Sequence, residues 1–181
     1  MITDEQIFIE KLGNIKTQNE AFRQLVSEYK RPLYHHIRTI VLNHDDADDV
    51  LQNTFIKIFQ NISKFKGESK LFSWMYRIAT NESLTFIQNR SKKMMISSEE
   101  VNELALKNLE TDVYFEGSEI ELKLQKAIAT LPQKQQLVFK MKYFEELKFE
   151  ELSEILNTSV GALKASYHIA TKKIEEYLLA N

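Results

Sequence analysis

Residues 65–81, FKGESKLFSWMYRIATN, hold the side chains best suited to chemistry with a partner. Lys70, Trp74, Arg77 and Asn81 recur at i, i+4, i+7 and i+11, so a helix would carry them on one face. A large aromatic ring between a Lys and an Arg suits a single-stranded nucleic acid. Bases stack on such a ring for roughly 1–3 kcal/mol each while the cations hold phosphate. Asn81 adds an amide that can pair with a base edge. The competing reading is a core position, because Leu71, Phe72, Met75, Tyr76 and Ile78 flank Trp74 and aromatics at helical spacing are usually buried.

Two further groups stand out. Residues 48–63 form an amphipathic pattern through Leu51, Thr54, Phe55, Ile58 and Ile62. Their polar face carries Asp49, Gln52, Asn53 and Gln60 with Ile56 at its centre; an apolar residue there suits a protein interface, though single exposed apolar residues are common. Residues 148–174 fit a helix-turn-helix. Leu152, Ile155 and Leu156 make the first stripe and Ser159 caps the second helix. Val160, Leu163, Tyr167, Ala170 and Ile174 turn inward, leaving Lys164, Ala165, His168, Thr171 and Lys172 outward, where a major groove could receive them. An ordinary helical hairpin would show the same pattern.

Other chemistries lack their residues. The chain has no Cys, which excludes disulfides, thiolate zinc sites and cysteine nucleophiles. His35, His36, His44 and His168 lack metal-ligand spacing. The acids of 45–49 lack the glycine and terminal Glu of a calcium loop and suit a helix start instead. No glycine-rich phosphate loop or nucleophile elbow occurs. The expectation is a binding protein, not an enzyme, with no metal and no cofactor.

The elements that must position these groups are helical. Four Gly and two Pro in 181 residues argue against a loop-rich β fold, and a 43% apolar composition is ample for a core. Thr3 with Gln6 fits a capping box for a first short helix. Residues 20–42 carry Phe22, Leu25, Val26, Tyr29, Leu33, Ile37 and Ile40 at helical steps, with Pro32 expected to kink or split the run. A break at 63–69 precedes a long helix to about Asn89, and residues 91–117 read as a linker with one loosely held helix. Ser118 with Glu121 forms a second capping box, and Pro132 suits the first turn of the next helix. The expected architecture is all-α: two small helical domains, 1–93 and 119–181, joined by an acidic linker over 94–118.

Charge follows this division. The net charge of −2 taken whole argues against a nucleic-acid binder. Residues 50–96, however, carry eight basic side chains to two acidic, and residues 97–121 carry eight acidic to one basic. A basic block beside an acidic stretch implies different partners, or a tail competing with the partner of the block. No apolar run approaches the ~20 residues of a membrane span, and the start MITDEQ carries acids where a secretory signal carries bases. A cytoplasmic protein without membrane insertion is expected.

Together these strings resemble the sigma-70 family of RNA polymerase sigma factors, in its extracytoplasmic-function (ECF) subgroup. The resemblance is carried by DADDVLQNTFIKIFQNISKFKGESKLFSWMYRIATN within residues 20–93 and LPQKQQLVFKMKYFEELKFEELSEILNTSVGALK within 119–178. It implies a factor that binds core polymerase and directs promoter recognition and transcription initiation. It places Asp49, Gln52, Asn53 and Ile56 on the polymerase clamp, and Phe65, Lys66, Lys70, Trp74, Tyr76, Arg77 and Asn81 on the melted −10 strand of promoter DNA. Lys164, Ala165, His168 and Lys172 fall on the −35 duplex, and an anti-sigma factor is implied as a further partner. The family usually has Gln-Glu where this chain has Gln52-Asn53, and several Arg where the last helix has Ser166, Ile169 and Thr171. Two rival readings are a sigma-like mimic that sequesters an anti-sigma factor and a one-component helix-turn-helix regulator.

Overall fold

The computed structural model describes residues 5–65, 67–109 and 118–180, and every regular element among them is helical. The amino-terminal half comprises α1 (Glu5–Gly13), α2 (Gln18–Val41), α3 (His44–Asn61) and α4 (Leu71–Met94), with a 3₁₀ turn at Ile62–Lys64. The cap expected at Thr3 lies outside the described residues. α2, α3 and α4 pack mutually around Leu25, Leu33, Ile37, Val50, Ile58, Leu71 and Met75. α2 runs unbroken past Pro32. The proline is exposed, so the hydrogen bond it removes falls on the solvent side, where water replaces it.

Caps explain the helix ends. Leu42 closes α2 in the left-handed conformation (φ 62°), its N–H donating to the Arg38 carbonyl at 3.0 Å. Asn43 caps α3 by accepting from the Asp46 N–H at 2.9 Å, with Asp45 and Asp46 in the first turn, where the helix dipole favours acids. α4 draws on another element: the Leu71 N–H donates to Glu5 of α1 at 2.9 Å.

The segment read as a linker holds α5 (Ser98–Leu109), and this helix is packed, not loose. Val101, Ala105, Leu106 and Leu109 are buried, the last three in a cluster with Leu42 that Leu122 and Ala129 pack against. Their spacing is itself a helical stripe, which the abundance of acids obscured. The carboxy-terminal half is α6 (Glu119–Ala129), α7 (Gln133–Tyr143), α8 (Phe149–Leu156) and α9 (Val160–Ala180). Ser118 and Glu121 form the expected reciprocal capping box, with Pro132 preceding α7. α8 stops at Asn157 in the left-handed region (φ 49°), and the Ala162 N–H then donates to the Ser159 hydroxyl at 3.3 Å. This is the helix-turn-helix.

The two halves share a core. α7 packs on α2 and α8 packs on α4, so Leu137, Val138, Met141, Leu152 and Leu163 join one core with Leu33, Ile37 and Met75. Each such aliphatic side chain contributes about 1.5–3 kcal/mol by leaving water.

Candidate nucleic-acid and polymerase interfaces

α4 divides the expected strand-binding residues among three environments. Trp74 is half-buried, its ring centroid 5.1 Å from that of Phe65 at 45°. It lines an open hollow of about 500 Å³ together with Lys57, Asn61, Lys64, Ile78, Asn81, Glu82 and Thr85. Asn81 is exposed on that wall, and Lys70 is exposed at the residue preceding α4. The hollow thus offers an aromatic face, an amide and the Lys64 amine to a base and its phosphate, while the Lys57 amine is paired with Glu82 on the same wall. Lys57 and Lys64 line the hollow without being singled out by spacing. They counted only toward the basic block, because they come from α3 and the 3₁₀ turn, not from the helix of Trp74.

Arg77 turns the other way. Its Nε donates to the Glu154 backbone carbonyl of α8 at 3.1 Å, and a second guanidinium nitrogen donates to the same oxygen. Arg77 and Asn81 also line a cleft of about 590 Å³ whose far wall is α7, α8 and α9. Tyr76 departs from expectation altogether. It is 4% exposed, its ring 4.7 Å from His36 and 4.1 Å from Phe72, and burial pushes its phenol pKa up. The step from Trp74 to Tyr76 rotates the side chain across the helix into the core, so Tyr76 is a packing residue in this conformation. Lys66 lies outside the described residues. Gly67 beside it has φ +71°, a backbone that favours glycine, and lets the loop turn before α4.

On α3, Asp49, Gln52, Asn53 and Ile56 are all exposed along one face, Ile56 at 53%. Phe59 continues that face, 40% exposed, with its ring 4.9 Å from Phe22. The first turn of α3 is tied to α4 by the ion pair between Asp46 and Arg90, and burial is the largest influence on Asp46, raising its pKa. On α9, Lys164, Ala165, His168 and Lys172 are exposed, while Leu163, Ala170 and Ile174 are buried beneath them. Lys164 lies 5.8 Å from the Phe149 ring, which steadies its stem against α8. Among the described residues no helix is long and apolar enough to cross a membrane.

Comparison with known proteins identifies the two halves. Residues 25–93 match the family Sigma-70 region 2, and residues 121–174 match Sigma-70, region 4. The chain is 30% identical over 172 residues to the ECF RNA polymerase sigma factor SigW of Bacillus subtilis, covering 90% of this chain and 91% of that one. It is 26% identical over 188 residues to the RNA polymerase sigma-H factor of Pseudomonas aeruginosa, covering 98% and 96%. Among solved structures, CnrH in complex with the cytosolic domain of CnrY has a similar fold, with TM-score 0.70, 18% identity and 98% of each chain covered. The sigma factor RpoE in complex with the anti-sigma factor NepR from Bartonella quintana gives TM-score 0.65, 18% identity and coverage of 88% and 98%. The chain therefore belongs to the ECF sigma factors of the sigma-70 family.

Proposed function

We propose that this sigma factor divides promoter recognition among three surfaces. The α3 face of Asp49, Gln52, Asn53 and Ile56 docks on core RNA polymerase. The hollow at Trp74 and Asn81 captures the melted −10 strand together with Phe65, Lys70 and Arg77, and with Lys66, which lies outside the described residues. The α9 face of Lys164, Ala165, His168 and Lys172 lies along the −35 duplex. In this reading residues 1–93 serve polymerase and the −10 strand, 119–181 serve the −35 duplex, and 94–118 connect them. The protein works in the cytoplasm, supplies no catalytic group and is held in check by an anti-sigma partner.

The observation that carries the reading is the hollow itself. Trp74 packs on one side against Phe65 and keeps the other side toward solvent, amid Lys57, Lys64 and Asn81. A side chain there for packing alone would not need the Lys64 amine and the Asn81 amide around its free face. The hollow disfavours a one-component regulator, which would leave it without a role. Run-off transcription with core polymerase and genomic promoter fragments is the test. Promoter-dependent transcripts are expected. Tight polymerase binding with no transcript from any fragment would overturn initiation and favour the mimic.

A further inference from the structure

α4 takes its cap from another helix. Asn43, Ser97, Ser118 and Ser159 each accept from an N–H three residues on, so α3, α5, α6 and α9 are capped from within their own strings. At the head of α4 the capping position is Lys70, whose amine can only donate, and the first turn from Leu71 to Trp74 holds no acid. The acceptor comes instead from 66 residues away: Glu5 of α1 accepts from the Leu71 N–H at 2.9 Å.

α1 is placed to hold that carboxylate still. Phe8 and Leu12 are buried, and α1 packs on α2 and on the 3₁₀ turn Ile62–Lys64, whose Ile62 is also buried. One helix therefore anchors both ends of the chain from Phe65 to Lys70, its entry through the 3₁₀ turn and its exit through Glu5. Between these anchors lies an open hollow of about 400 Å³, lined by Glu5, Ile9 and Glu10 on one side and Phe65, Gly67 and Ser69 on the other. The first turn of α4 is closed by the Trp74 N–H, which donates to the Lys70 carbonyl at 3.1 Å. A turn that frays for want of its cap carries Lys70 and Trp74 with it, and parts the Trp74 ring from Phe65.

We propose that Glu5 is a positioning residue for strand capture: from α1 it caps α4, and so fixes Lys70 and the Trp74 ring in the arrangement that receives a melted strand. A Ser or Asp at residue 70 would cap α4 locally, but would replace an amine suited to phosphate. Placing the acceptor on α1 lets one turn keep both its cap and its cation. Glu5 acts through Leu71, Lys70 and Trp74 and touches no nucleic acid itself. Its role rests on the strand-capture reading of α4.

Trp74 is the single tryptophan of the chain, so its emission reports directly on this turn. Glu5 is exposed, so Glu5→Ala leaves the core intact. In the full chain, Glu5→Ala should raise acrylamide quenching of Trp74 about twofold. Polymerase reconstituted with it should open a promoter about fivefold less, read as thymine reactivity to permanganate, with affinity for core polymerase within about twofold of wild type. Glu5→Gln, which keeps an accepting oxygen, should reverse about half or more of both changes. Unchanged quenching in Glu5→Ala overturns the proposal, as does altered quenching with undiminished opening. Equal effects of Glu5→Gln and Glu5→Ala overturn it too, since the charge and not the bond would then act. Core affinity falling in step with opening overturns it as well, because Glu5 would then support the whole amino-terminal half. Quenching involves no DNA, so failure of the positioning role stays distinct from failure of strand capture, which would show as no opening by wild type and would take the proposal with it.

Discussion

α4 and α9 carry the two helical faces that residue spacing assigns to nucleic acid, yet the fold treats them oppositely. α9 lies at the margin, packed through Leu163, Ala170 and Ile174, with Lys164, His168 and Lys172 exposed. α4 is central: α2, α3, α5 and α8 all rest on it, leaving Trp74, Asn81 and Lys70 to meet solvent while Tyr76 goes to the core and Arg77 to α8. A peripheral helix shows its whole outer face. A central helix shows only the gaps between its neighbours.

The sharpest way to break this contrast is at Tyr76. Tyr76→Ala removes a buried ring, and we expect a loss of about 3–5 kcal/mol in urea-induced unfolding, with strand binding affected only through folding. A stable Tyr76→Ala protein with weakened strand binding would return Tyr76 to the binding surface. Trp74→Ala, one residue pair earlier, should do the reverse. It should weaken binding of single-stranded DNA by about 1–3 kcal/mol while costing less stability than Tyr76→Ala, read by fluorescence anisotropy beside the same urea titration.

A smaller effect sharpens the account of the central helix's neighbours. Lys140→Met replaces a buried ammonium with an apolar chain of similar length, and at pH 7 should raise stability by about 1–2 kcal/mol. Burial holds the Lys140 amine down at about 8 against an ordinary 10.5. The folded state therefore binds fewer protons than the unfolded state between those values, and wild type gains stability there as pH rises. The margin of Lys140→Met over wild type should shrink from pH 8 toward pH 10 in paired melting curves. A margin that stays constant or widens would contradict burial as the cause. The mildest effect belongs to α9, where Lys172→Ala should lower the salt slope of duplex binding by about one counterion, with little change in stability. A slope unaffected by that change would remove Lys172 from the phosphate contacts.

Much of this was legible in residue order, because short-range signals set it. The Ser118–Glu121 capping box, the Ser159 cap and the inward stripe Leu163–Ala170–Ile174 depend on spacing within one or two turns. The exposed α3 face was legible for the same reason. Pro32 does not split α2, since its effect on a helix depends on whether the lost hydrogen bond faces solvent. α5 was understated because eight acids between 97 and 121 masked a four-residue apolar stripe. The hollow at Trp74 was half legible: the helix supplied Trp74 and Asn81, but Lys57 and Lys64 arrive from another element. Docking of the carboxy-terminal half on α2 and α4 had no local signal at all. It depends on pairs such as His36–Glu145, which are 109 residues apart.

The central claim is that the hollow on α4 captures a melted promoter strand. Its most direct test is permanganate footprinting of promoter thymines with polymerase reconstituted from wild type or Trp74→Ala, beside the affinity of each for core polymerase. The account predicts that Trp74→Ala abolishes thymine reactivity near −10 while core affinity stays within about twofold, since α3 docks independently of that face. Parallel loss of melting and of core affinity would contradict it, and would make Trp74 a packing residue like Tyr76.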